Sequence, residues 1–66
     1  MKKHSLTING HATSITLEPE FWDALNRIAA RDNTALAALV AQIDATRGEQ
    51  NLSSAIRVYV LKQALL

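Results

Sequence analysis

Apolar and polar residues alternate along the start of this chain, and the period then changes. Leu6 and Ile8, then Ile15 and Leu17, occupy every second position, the spacing of strands with one buried face. Beyond Pro19, the residues Phe21, Trp22, Leu25, Ile28 and Ala29 recur at helical spacing. Pro19 suits a first helical position, where its fixed φ is pre-set and its missing N–H would have had no partner. Asn9-Gly10 separates the two alternating runs and signals a two-residue hairpin turn. Taking it as the turn pairs Ile8 with His11, Thr7 with Ala12, Leu6 with Thr13, Ser5 with Ser14 and Lys3 with Thr16. Leu6, Ile8, Thr13, Ile15 and Leu17 then share one face with His4 and His11. Lys3, Ser5, Thr7, Ala12, Ser14 and Thr16 share the other. An isolated hairpin is unstable in water, so covering helices or further strands are expected.

The first helix is predicted over Pro19–Arg31. Glu18, Glu20 and Asp23 crowd its start and Arg27 and Arg31 its end, matching the helix dipole at both termini. Asp32-Asn33-Thr34 breaks it, with Thr34 placed to cap the next helix. Leu36, Leu39, Val40 and Ile43 follow the i, i+3, i+4, i+7 rule until about Arg47-Gly48, where Gly48 can adopt the left-handed terminating conformation. After the polar link Glu49-Gln50-Asn51, Ser53 is the expected cap of a last helix carrying Ile56, Val58, Tyr59, Val60, Leu61, Ala64, Leu65 and Leu66. Residues 56–60 are also β-branched and alternating, the pattern of a strand. The length and the Leu-Lys-Gln-Ala-Leu-Leu ending favour helix. The expected fold class is therefore α+β, an N-terminal β-hairpin followed by three helices in one domain over residues 1–66.

Composition narrows the function more than the fold. With 48% hydrophobic and 20% charged residues, the chain is neither a disordered tail nor a membrane protein. A core drawn from 66 residues is marginal alone. With no cysteine and no ligand-like grouping around the two histidines, oligomerisation is the remaining way to stabilise it. The last helix, apolar on more than one face, is the natural interface. The lack of cysteine fits a reducing compartment. Met1-Lys2-Lys3 is followed by no apolar signal-peptide core and no run long enough to span a bilayer, so a cytoplasmic location is expected.

The net charge is only +1, but its distribution is uneven. Residues 1–17 hold Lys2, Lys3, His4 and His11 and no acid, while all six acids lie between Glu18 and Glu49. The hairpin is the positive end. No nucleophile with a base, paired carboxylates or Gly-rich phosphate loop is visible, and no enzyme activity, cofactor or metal is expected. His4 and His11 lie at opposite ends of the hairpin and edge its core face. Trp22 and Tyr59 read more readily as core and interface than as stacking platforms.

The order of these elements resembles the ribbon-helix-helix family, the class of Arc- and MetJ-type repressors whose strands read the major groove. The run from Asn9-Gly10-His11 through Thr13-Ser14-Ile15-Thr16-Leu17-Glu18-Pro19-Glu20-Phe21-Trp22-Asp23-Ala24-Leu25 is similar to that of small stand-alone bacterial members. So are Leu36, Ala38-Leu39-Val40-Ala41, Ile43-Asp44 and Asn51-Leu52-Ser53-Ser54-Ala55-Ile56-Arg57. The resemblance implies an intertwined homodimer that binds double-stranded DNA, a transcriptional regulator or antitoxin-like factor, with dimers able to assemble further on DNA. The strand after the turn would pair with its symmetry mate. Base-reading positions would be Ala12, Ser14 and Thr16, with Lys3 on phosphate and the backbone of Asn33, Thr34 and Ala35 as a phosphate clamp. Ile15, Leu17, Trp22, Leu39, Ile43, Ile56, Tyr59 and Val60 would form the dimer interface. Two departures stand out. The outward set Ala, Ser, Thr lacks the Arg, Lys, Asn or Gln of bidentate readout, and Asn33 stands where the family usually has an apolar residue packing the turn. They leave an alternative function, a dimerisation or adaptor module that binds an unknown protein partner and not DNA.

Overall fold

The computed structural model describes residues 1–66. Strand β1 (Lys2–Ile8) and strand β2 (His11–Leu17) form a two-stranded antiparallel sheet, followed by helices α1 (Pro19–Arg31), α2 (Leu36–Thr46) and α3 (Leu52–Ala64). The hairpin has the expected register throughout, from Ile8 opposite His11 to Lys3 opposite Thr16. Asn9 and Gly10 adopt φ of 52° and 80°. Two consecutive positive values make a turn whose twist matches that of the flanking strands. Residues 56–60 are helical: Ile56 and Val60, four apart, both face inward and are buried, a pairing a strand would also allow but with Val58 inward too. Val58 is instead exposed.

The α1–α2 junction differs from expectation. Thr34 does not cap α2; its hydroxyl donates to the Asp32 carbonyl at 3.1 Å, and α2 begins after Ala35 with no side-chain cap. The reason is the end of α1. The Asn33 N–H donates to the Ala30 carbonyl at 3.1 Å and the Thr34 N–H to the Ala29 carbonyl at 2.9 Å. With Asn33 at φ 52°, this is a Schellman termination, which needs a left-handed residue after the helix. Asparagine tolerates that conformation better than any apolar side chain, which accounts for Asn33 at this position. The cap of α3 also moves by two residues. Asn51 Oδ1, not Ser53, accepts from the Ser54 N–H at 3.0 Å. Gly48 ends the α2 region at φ 63°, as its position predicts.

The sheet's inner face and all three helices enclose one apolar core. Ile8, Ile15 and Leu17 come from the sheet, Leu25 and Ile28 from α1, Leu39, Val40 and Ile43 from α2, and Ile56 and Val60 from α3. No polar side chain is buried and no buried side-chain polar atom lacks a partner.

Candidate nucleic-acid interface

The outer face of the hairpin is the candidate site. The two-residue turn makes Ile8 and His11 a hydrogen-bonded pair, so Thr7–Ala12, Ser5–Ser14 and Lys3–Thr16 are the alternate, non-hydrogen-bonded pairs. Such pairs bring Cα atoms to about 4.5 Å, and successive rows on one face lie roughly 7 Å apart. The face is thus three tight rows of small side chains ending in a lysine. Lys3, Ser5, Thr7, Ala12 and Ser14 are exposed and Thr16 is half-buried. The major groove of B-DNA, about 12 Å across, is wide enough to admit a two-stranded ribbon.

The same pairing turns the N–H groups of Ala12, Ser14 and Thr16 to the free edge of β2. The Thr16 N–H donates to Ser53 Oγ at 3.4 Å, joining α3 to that edge. Those of Ala12 and Ser14 have no partner within the chain. An open edge of this kind is a template for another strand.

The backbone clamp expected at Asn33, Thr34 and Ala35 is only partly available. The Schellman bonds occupy the N–H groups of Asn33 and Thr34, leaving that of Ala35 and those of the first turn of α2, Leu36, Ala37 and Ala38. The positive end of the helix dipole lies there too, so the free donors sit one to a few residues further along than the sequence suggested.

The remaining charges divide into paired and unpaired. Arg57 Nε donates to Glu18 Oε1 at 2.9 Å, linking α3 to the β2–α1 junction. That hydrogen bond, with the guanidinium charge beside it, holds the Glu18 carboxyl below its ordinary pKa of 4.5. Arg31 pairs with Asp32 at 2.9 Å and reaches Gln63 at 2.7 Å; the pairing lowers the Asp32 pKa and raises that of Arg31. Arg47 pairs with Asp44. Lys2, Lys3, Arg27 and Lys62 form no ion pair, so Lys3 is the unpaired cation on the outer ribbon face.

Six of the residues assigned to a dimer interface, Ile15, Leu17, Leu39, Ile43, Ile56 and Val60, are at most 8% exposed within the single chain. Their apolar area is already spent on their own core. Tyr59 and Trp22 are half-buried. Trp22 stacks on His4, with ring centroids 3.6 Å apart and planes 4° from parallel, a contact between the sheet edge and α1 that periodicity could not show. Apart from Met1, the large apolar side chains left exposed lie on and just beyond α3, at Val58, Leu61, Leu65 and Leu66. No group of three or more His, Asp or Glu side chains could hold a metal, and no helix is long and apolar enough to cross a membrane.

A hairpin whose second strand runs directly into two helices defines the class of fold, a ribbon followed by a helix pair. The chain belongs to the ribbon-helix-helix domain family, which matches it over residues 1–64. Domains of this family are in general DNA-binding regulators that act as dimers, and are typically non-enzymatic. No curated protein and no solved structure matches the chain significantly.

Proposed function

We propose that this protein is a homodimer that binds double-stranded DNA sequence-specifically, its ribbon in the major groove, as a transcriptional regulator or antitoxin-like factor in the cytoplasm of a bacterium. The observation carrying this reading is the separation of the hairpin's faces: one sends Ile8, Ile15 and Leu17 into the core, and the other is mostly exposed, free of acids and tipped by the unpaired Lys3. The dimer contact follows from the open edge of β2. Two β2 strands paired across a twofold axis would satisfy the N–H groups of Ala12 and Ser14, with Thr16 exchanging Ser53 for the partner strand. Four strands spaced about 4.8 Å apart span about 14 Å between the outer axes, slightly more than the groove. The two β2 strands then face the base edges with Ala12, Ser14 and Thr16, while Lys3 on β1 lies to the side, near phosphate. The free N–H groups from Ala35 to Ala38 extend the phosphate contact.

Binding driven by phosphate neutralisation weakens steeply with salt. Fluorescence polarisation on a genomic DNA pool tests this, together with the Lys3→Glu/Thr16→Glu variant. The variant should lose affinity while sedimentation shows the dimer intact; absence of salt-dependent binding at micromolar protein refutes the reading. The exposed Val58, Leu61 and Leu65 on and beyond α3 favour a second reading, a protein-binding adaptor, which a dimer indifferent to DNA would support.

A further inference from the structure

We infer that the DNA this ribbon reads is recognised through the 5-methyl groups of thymine, so that its sites are A·T-rich at the contacted positions. The inference rests on the reading that the ribbon enters the major groove, and it specifies what is read there. The groove presents hydrogen-bond donors and acceptors from every base pair, but only thymine presents a methyl group. Bidentate recognition of guanine or adenine needs the forked end of an arginine, asparagine or glutamine, or a lysine. None of these stands on the β2 strand, where the outward residues are Ala12, Ser14 and Thr16. Asn9 lies in the turn at positive φ, and Lys3 stands at the far end of the ribbon beside Thr16.

What the outward face of β2 does offer is methyl groups, on the exposed Ala12 and the half-buried Thr16. They flank the single hydroxyl of Ser14, which accepts or donates to either kind of base pair. A side chain this short also brings the strand backbone close to the base edges, where methyl–methyl contact becomes possible. Ala12 and Thr16 are four residues apart on one strand, roughly 13 Å, so each of two symmetry-related strands would present a pair of methyl contacts spanning about four base-pair steps at 3.4 Å each. Removing one methyl contact of this kind should weaken binding about fourfold, from the transfer free energy of a single apolar carbon.

The test compares four synthetic duplex pools: A·T-rich sequence made with thymine, the same made with deoxyuridine, G·C-rich sequence made with cytosine, and the same made with 5-methylcytosine. Each is titrated with the full-length protein by fluorescence polarisation at several salt concentrations. The expected result is about a hundredfold or greater preference for the thymine pool over the uracil pool, with 5-methylcytosine binding better than cytosine. Thr16→Ser removes one methyl from each strand, two per dimer, and keeps the hydroxyls; it should shrink the thymine-to-uracil ratio about fifteenfold. Salt-dependent binding that is equal for thymine and uracil pools overturns methyl readout while leaving the DNA-binding reading standing. Binding to none of the four pools overturns both.

Discussion

Ile15 is the residue at which the face assignment can be tested most sharply. It lies between Ser14 and Thr16 on β2 and is 2% exposed, whereas Ser14 is exposed. Ile15→Ala removes apolar carbons from a fully packed site in the core between the sheet and the helices and leaves a cavity there. Substitutions of this kind cost about 2–5 kcal/mol. A chain of 66 residues has a total stability of roughly 3–10 kcal/mol, so the change removes a large share of it. Each kcal/mol corresponds to about 4–8 °C for a domain of this size. Ile15→Ala is therefore expected to melt at least about 8 °C below the parent by circular dichroism. Ser14→Ala, one residue away on the outer face, should stay within about 0.5 kcal/mol. Trp22 fluorescence gives an independent probe, since unfolding separates its ring from the His4 imidazole stacked on it. Near-equal losses for the two variants would refute the alternation on which both the core and the outer ribbon face depend.

Two further predictions concern the junctions. Glu18 is held below its ordinary pKa by Arg57, so the folded state favours the ionised carboxylate. The stabilisation is complete above the unfolded pKa near 4.5 and is lost as pH falls through the lower folded value. Urea melts below that range should show it, and Arg57→Met should flatten the same stretch of the pH profile; a rise in stability on acidification would reverse the sign. At α3, Asn51→Ala should cost about 1 kcal/mol in thermal unfolding because it removes the cap of the Ser54 N–H. Ser53→Ala loses only a 3.4 Å bond to Thr16 and should cost less; the opposite order would place the cap at Ser53.

The hairpin was legible in the residues because its determinants are local. Asn9-Gly10 sets the turn, the turn sets the register, and a period of two then decides which side chains share a face. The bounds of α1 were legible for the same reason, through Pro19 at one end and the charges at the other. The helix starts were less so. Thr34 and Ser53 are both plausible caps by type, yet the Schellman bonds at Asn33 and the side chain of Asn51 took those roles. Hydrogen-bonding residues compete for the same few backbone groups, and a difference of one or two positions is decided by backbone geometry.

The amino-acid sequence by itself determined the element order, the strand pairing and the outward face of Lys3, Ala12, Ser14 and Thr16, because each depends on neighbours a few residues away. Contacts between distant parts of the chain were decided only in three dimensions. The tertiary structure stacked His4 on Trp22, bridged Glu18 to Arg57, and joined Ser53 to the edge of β2. It also sorted the apolar residues on and just beyond α3, placing Ile56 and Val60 in the chain's own core and leaving Val58, Leu61, Leu65 and Leu66 outside. A helix apolar on several faces has no periodicity to say which face turns inward. Packing against the sheet and the other two helices supplies that choice.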